Sequence, residues 1–282
     1  MYFSIIIANF NGGKFLESAI KSVLSQSFSE FELIVVDGGS SDNSIEIIKR
    51  YESSIGWWIS EKDSGQSEAF NKGFRHAKGK FLTWLNSDDL MLPGTLLAVS
   101  KKLKANPGVG WATGNMLRFY NHSGRICEAT WGPHWVPFIL QRNGFPLCIY
   151  GPTSFWDKNI FESIGPLNER LHYTMDYDYW RRLSMHGIKY VRVNHTCWAF
   201  RMHENSKTAE FGEHKRSESR KRVMLEERLE SEKLTGFRET RMGWLTKQLL
   251  RVVDFSIFVA LFRRVFIVGR PLQKIYCVKI NI

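Results

Sequence analysis

Residues 81–90 read FLTWLNSDDL, an apolar run that ends in two adjacent carboxylates. Phe81, Leu82, Trp84 and Leu85 have the character of a buried strand, and an unpaired charge buried beside them would be costly. Asp88 and Asp89 therefore stand where that strand leaves the core. Three uses are open to them there: solvated turn residues, caps for a helix starting near Pro93, or ligands for a cation.

Outward from this strand, the first half of the chain alternates strands and helices. FSIIIANF is a short apolar strand closed by the turn Asn11-Gly12-Gly13. KFLESAIKSVLSQS then places Phe15, Leu16, Ala19, Ile20 and Val23 on one helical stripe. FELIVVD predicts a second strand, SIEIIKRYE a helix, IGWWIS a third strand, and QSEAFNKGFRHAKG the helix before KFLTWL. Such alternation predicts an α/β fold with a mostly parallel sheet, whose ligands bind beyond the carboxyl ends of the strands. Asp37, Asp88 and the loop beginning EKDSG all lie at such ends, so three polar loops are expected to converge on one edge.

After Gly108 the pattern is less regular. VGWATGNMLRFY and RICEATW suggest a hairpin around NHSG, and GPHWVPFILQRNGFP suggests a shaped loop or lid. MDYDYWRRLSMHG reads as a helix ended by Gly187, and IKYVRVNHTCWAFRMH as one long strand or two short ones. GEHKRSESRKRVMLEERLESEKL reads as a long, charge-laced helix.

Composition narrows the classes. The chain has 282 residues, 43% hydrophobic, enough for one large domain or a domain with an appendage. Its net charge is +11, and eight Lys/Arg stand against one Asp after residue 240. A nucleic-acid binder would more often spread its basic residues over the body, so no nucleic-acid partner is expected. MYFSIIIANFNGG lacks a basic leader and cleavage site, and the four cysteines are scattered, so a reduced, cytoplasmic setting is expected.

SIIIANFNGGKFLESAIKSVLSQSF, ELIVVDGGSSDNS, EKDSGQSEAFNKGFRHAKGKFLTWLNSDD, MDYDYWRRL and RMHENSK, in this order from Phe3 to about Ser206, resemble the family 2 inverting glycosyltransferases. The resemblance is greatest to the branch that builds bacterial surface polysaccharides. It implies a GT-A (Rossmann-like) catalytic domain over residues 1–210, followed by a helical extension over 211–282. It also implies transfer of a sugar from a nucleotide-sugar donor, most simply a UDP-sugar, to a saccharide or lipid-linked saccharide acceptor.

The chemistry of such a transfer explains the residue types. The leaving diphosphate gathers negative charge, which a divalent cation, Mn2+ or Mg2+, can stabilise. By the resemblance Asp88 faces this metal with Asp89 beside it and Ser87 before it. The family's Asp-x-Asp pattern here reads Asn86-Ser87-Asp88, so its first carboxylate is missing. Asp37 matches the position that contacts base or ribose, and Gly38 follows where many relatives have a second Asp. Asp63 and Asn71 match positions lining the same pocket, and Ala8 and Asn9 lie where the first strand meets the base. Asp176 matches the general base that deprotonates the acceptor, with a helix N-cap as its simpler reading. Asp178, two residues on, points away from it and is expected to pair with Arg181 or Arg182. Arg201 and His203, in RMHENSK, are placed to reach the diphosphate, His203 also as a metal ligand.

Trp131, Trp135 and Phe138 read equally as a sugar-stacking platform and as buried packing. The tail from Gly243 is apolar but interrupted by Lys247, Arg251, Asp254 and Arg263-Arg264, too short in any run to span a bilayer. It reads as amphipathic helices with two uses. One is peripheral contact with the inner face of the cytoplasmic membrane; the other is protein-facing, as a cover for the body or a homo-oligomer interface. Two other functions fit parts of the pattern. A sugar-phosphate nucleotidyltransferase would need a Gly-rich basic loop, of which NFNGGKF is a weak version. A non-catalytic nucleotide-sugar-binding scaffold would suit the missing acids at Asn86 and Met175.

Overall fold

The apolar run Phe3–Asn9 is buried along its whole length and forms the central strand β1. Burial on both faces is the usual state of a parallel strand covered by helices. The computed structural model describes residues 1–130, 149, 151–204, 206, 218–235 and 265–276. After β1 come α1 (Gly13–Leu24), β2 (Phe31–Asp37), α2 (Ser44–Arg50), β3 (Trp57–Ser60), α3 (Gln66–His76) and β4 (Phe81–Asn86). Then follow β5 (Leu90–Met91), α4 (Thr95–Lys104), β6 (Trp111–Tyr120), β7 (Ile126–Thr130), β8 (Ser154–Asp157), α5 (Lys158–Ile164) and α6 (Met175–Met185). β9 (Tyr190–Met202), α7 (Glu218–Thr235) and α8 (Leu272–Tyr276) complete the described elements.

The strands form one sheet in the order β3-β2-β1-β4-β8-β6-β9-β5, with β7 paired to β6. β1 to β4 are parallel, β8 runs antiparallel between β4 and β6, and β6 is parallel to β9. The sheet is therefore the mostly parallel one expected. IKYVRVNHTCWAFRMH is one long strand with register shifts against β6 near Asn115. The short strands β5 and β8 are not read from the sequence; they form by antiparallel pairing with β9, β4 and β6, remote in the chain.

Alternation along β1 divides the core between the sheet's two faces. Phe3, Ile5 and Ile7 pack with Leu16, Ile20 and Val23 of α1, Ile47 and Ile48 of α2, and Leu96 and Val99 of α4. Ile6 and Ala8 pack on the other face with Phe70 and Phe74 of α3, Trp180 and Leu183 of α6, and Trp84 and Trp156. The tail returns to the body at 265–276. There the Ile126 N–H donates to the Arg270 carbonyl at 2.9 Å, the Leu272 N–H donates to the Gly124 carbonyl at 2.8 Å, and Leu272 is fully buried. Among the described residues no helix is long and apolar enough to cross a membrane. Trp131, Trp135, Phe138 and the apolar stretch 243–264 lie outside the described residues.

α3 lies unusually close to β1. A side chain at Gly73 would overlap Ile6 Cγ2 and come within 2.8 Å of Ile6 Cγ1. Gly to Ala inside a helix ordinarily gains up to about 1 kcal/mol. Here overpacking against a central strand reverses the sign, and Gly73→Ala is expected to lose about 1–3 kcal/mol. Thermal unfolding checks this: a lowered Tm is expected, and a raised one would mean the helix has room to spare.

Candidate active site

The carboxyl ends of β1, β2, β3 and β4 are brought level by their register, which pairs Asn9 with Asp37, Asp37 with Ser60, and Ala8 with Asn86. Asp37 is fully buried at this edge. Its carboxylate accepts from Asn9 Nδ2 (2.7 Å), Ser60 Oγ (2.7 Å), Ser40 Oγ, and the backbone N–H groups of Gly39 (3.1 Å) and Ser40 (2.9 Å). Burial alone would raise this carboxyl, but the bonds from Ser40, Ser60 and Asn9 hold it below its ordinary value. Five donors fill the roughly four lone-pair positions of a carboxylate. Asp37 thus ties three strand ends together at the edge where the base or ribose contact is expected of it.

Groups beside this knot remain available. Asn9 directs both bonds of its Nδ2 to Asp37 and Ser40, while its buried Oδ1 finds no donor among the described residues. A side chain at Gly12 would overlap that oxygen and lie 2.7 Å from Ser87 Oγ, so Asn9 and Ser87 converge over a glycine. A side chain at Gly38 would lie 2.8 Å from Asp63 Oδ2. Asp63 therefore occupies the space that the missing second acid beside Asp37 would have used. Burial pushes the Asp63 carboxyl up, opposed by the Gly65 N–H and Lys72 and reinforced by Glu68 and Asp37. Ala8 lies mainly in the core face of β1. Asn71, expected to line the pocket, is engaged by the protein in this structure. It is fully buried, accepts from the Leu167 N–H at 2.9 Å, and donates to the Leu167 carbonyl at 3.0 Å and Glu169 Oε1 at 2.8 Å. It stitches the loop before α6 onto α3.

The two adjacent acids at the end of β4 part company. Asp89 is fully buried, accepting from the Arg201 N–H at 2.9 Å and from Asn86 Nδ2 at 2.8 Å. Burial, then the neighbouring charge of Asp88, pushes its carboxyl well above the ordinary value. Asp88 stays partly exposed, with Oδ2 2.9 Å from His203 Nε2. Arg201, expected at the diphosphate, is also fully buried. It donates to the Asp88 carbonyl (2.7 Å), Asn121 Oδ1 (2.9 Å) and Ser18 Oγ (3.3 Å), and its guanidinium stacks over Phe15 and Phe119. Neither Asp89 nor Arg201 is thus turned to a ligand; together they hold the turn that presents Asp88. No local signal in the sequence marks this: Asp89 is held by the backbone of a residue 112 positions away.

A carboxylate and an imidazole in contact suit a divalent ion such as Mn2+ or Mg2+, completed by phosphate oxygens and water. Among the described residues no three His, Cys, Asp or Glu side chains gather to hold an ion by themselves.

Asp176 lies in the first turn of α6 and is half-buried. Its Oδ1 accepts from the Tyr177 N–H at 2.7 Å, and its Oδ2 lies 3.7 Å from where a Gly151 side chain would stand, with the Trp198 ring 3.4 Å from the same point. Burial pushes its carboxyl up, opposed by the Tyr177 N–H. The helix cap is Thr174, so the N-cap reading of Asp176 does not apply. Asp178 pairs with Arg182 at 2.9 Å, as its helical offset implied.

Loss of the Arg201 side chain removes a buried positive charge near Asp89 and three side-chain hydrogen bonds, to the Asp88 carbonyl, Asn121 and Ser18. Removing one partner of buried opposite charges costs about 3–5 kcal/mol. Arg201→Ala is expected to lower the urea midpoint accordingly, whether or not nucleotide is present. Unchanged stability with weakened nucleotide binding would instead restore Arg201 to the phosphates.

Three comparisons bear on this edge of polar loops. The family model for Glycosyl transferase family 2 matches residues 4–155. An uncharacterised glycosyltransferase of Rickettsia typhi is 30% identical over 197 residues, covering 68% of this chain and 59% of that protein. The chain thus spans about three fifths of the length of this relative. In fold, the chain is similar to Staphylococcus aureus TarS 1–349 in complex with UDP-GlcNAc, with a TM-score of 0.62 and 18% identity over 79% of this chain and 64% of that one. It is also similar to the mannosyltransferase PcManGT of Pyrobaculum calidifontis in complex with GDP-Man and Mn2+, with a TM-score of 0.59 and 14% identity over 98% of this chain and 78% of that one. With more than half its length matched by the family model, the chain belongs to glycosyl transferase family 2.

Proposed function

We propose that this chain is an inverting glycosyltransferase that moves one sugar from a nucleotide-sugar donor, most simply a UDP-sugar, to a saccharide or lipid-linked saccharide. One observation carries the reading: Asp176, in the first turn of α6, is a half-buried carboxylate raised above its ordinary value, with its Oδ2 near Gly151 and Trp198. Asp37, Asp89 and Asp178 are each held by protein donors. An inverting transfer needs one base, whereas a double displacement would need a second free nucleophile. Asp176 takes the proton of the acceptor hydroxyl as that oxygen attacks the anomeric carbon. The bond to the nucleoside diphosphate breaks on the opposite side, and the diphosphate leaves.

The nucleoside is assigned to the space bounded by Asn9 Oδ1, Ser87 and Asp63, which offer acceptors to a base imide or ribose hydroxyls. Asp88 and His203 would hold the cation, which when bound neutralises the charge gathering on the departing diphosphate. The UDP-GlcNAc and GDP-Man complexes of proteins with this fold support a nucleotide-sugar donor, and the Mn2+ of the latter supports the ion. The basic, apolar sequence after residue 240 supports an acceptor carried at a membrane surface. The nucleotidyltransferase alternative gains nothing from Lys14, whose Nζ lies over the Phe15 ring and outside the loop.

Titration calorimetry with UDP, GDP and dTDP, each with and without Mn2+, is the direct test. One nucleotide should bind in a metal-dependent manner, and Asp88→Ala should weaken it by tenfold or more. Absence of binding under every condition would remove the donor site and favour the scaffold reading.

The base has its own signature in pH. Asp176 acts deprotonated, and its carboxyl is raised in the folded protein, so activity falls as pH drops through that raised value. The acidic limb of kcat should therefore lie above the ordinary aspartate value of about 3.9 and disappear in Asp176→Asn, along with turnover. An acidic limb at or below that value would assign the proton transfer elsewhere.

A further inference from the structure

α7 is one of the most charged elements in the chain, and Glu226 and Glu230 lie in water, Glu226 paired with Arg222 on the exposed face. Glu227 does not. It is 6% exposed, and its carboxylate accepts the N–H groups of His172 (2.8 Å), Tyr173 (2.9 Å) and Thr174 (3.0 Å) together with the Thr174 hydroxyl (3.1 Å). A carboxylate leaves water only where such donors replace its hydration. These three consecutive N–H groups end at the residue that starts α6, two positions before Asp176.

The start of α6 depends on this outside anion. Thr174 occupies the N-cap position but makes no side-chain cap bond to its own helix, because its hydroxyl is turned to Glu227. Beyond Asp176, α7 grips the helix again. Ser231, one turn on from Glu227 and on the same face, donates to Asp178 Oδ1 at 3.0 Å, and Glu232 lies 3.9 Å from Arg181. The grip is polar: Glu227 and Ser231 are buried, while Val223, Leu225 and Leu229 are exposed. A helix kept only as packing would turn its leucines inward.

We propose that Glu227 is a positioning residue for the transfer, fixing from the C-terminal extension the backbone that aims Asp176 at the acceptor. The inference rests on Asp176 being the base. It makes α7 a working part of the site, although it lies beyond the span matched by the family model. Glu227→Gln keeps the shape but puts an amide N–H₂ where N–H donors converge, so the loop must shift. Displacing a catalytic group by about 1 Å can cost on the order of 100-fold in rate.

The test is turnover of whichever of UDP-glucose, UDP-N-acetylglucosamine and GDP-mannose binds in the presence of Mn2+, read as nucleoside diphosphate released on transfer to water. Glu227→Gln should lower kcat by about 10- to 100-fold, with donor KM and nucleotide Kd within about twofold of the parent. Glu227→Asp, which keeps the charge, should recover part of the loss, and it takes over the comparison if Glu227→Gln does not fold. Ser231→Ala, which removes a bond beyond Asp176 and leaves the backbone before it held, should lower Tm at least as much as Glu227→Gln does but cost far less in kcat. Parental kcat in Glu227→Gln while Asp176→Asn is inactive would overturn the proposal. So would a kcat that falls in step with Tm across the Glu227 and Ser231 variants, since that is packing. Full turnover in Asp176→Asn would remove the base itself, and the positioning role with it.

Discussion

A guanidinium sealed from water has to be enclosed by partners, and Arg201 collects them from remote parts of the chain. Ser18 and Phe15 come from α1, Phe119 and Asn121 from the end of β6, and the Asp88 carbonyl from the turn after β4. Asp89 supplies the countercharge, itself buried and reached through the Arg201 backbone. Removing either charge would strand the other in a low-dielectric interior. The two therefore hold one conformation of the turn, and that conformation leaves Asp88 as the acid facing outward. His203, two residues after Arg201, arrives at Asp88 as a consequence of the same anchorage.

The acids of the site are sorted by how many donors surround each. Asp37 has five, Glu227 four, and Asp89 and Asp178 are bonded on both oxygens. These are structural anions, stabilised by hydrogen bonds that replace water. Asp63, Asp88 and Asp176 keep capacity, and the proposed transfer assigns them to nucleoside, diphosphate and acceptor. The carboxyl groups of Asp63 and Asp176 are both raised by burial. Asp37 is the most buried of the three yet lowered, because its donors outweigh its desolvation.

The sheet and its helices were legible because local signals carry them. A parallel central strand such as Phe3–Asn9 is a continuous apolar run, and α1 has an unbroken apolar stripe. Which positions matter at the edge was also legible, through the ordered motifs. What each side chain does there was not. Arg201 reads the same whether it meets a phosphate or Ser18, and Ser18 is 183 residues away. Asn71 reads as a polar helix residue until Leu167 is placed against it, 96 residues on. Glu227 is one glutamate among several in α7, with exposed Glu226 and Glu230 on either side, so its burial, not its type, distinguishes it. Element type follows from neighbours in the chain, whereas the pairing of polar groups follows from the tertiary fold.

Asn86 shows why the family's first carboxylate can be absent without loss of order. Its Oδ1 accepts from Gln66 Nε2 at 2.7 Å, and its Nδ2 donates to Asp89 Oδ2 at 2.8 Å. An aspartate at 86 has no donor to offer, and it would set a second negative charge against a buried one. The amide lets Asp89 remain the partner of Arg201 and ties the turn to the start of α3. The cost is a ligand: a cation held here, as proposed, would meet one carboxylate and one imidazole from the protein. Such an ion must take most of its remaining oxygens from water or from the donor's phosphates. Ion and nucleotide then complete each other's coordination, and by reciprocity each raises the other's affinity by the same factor.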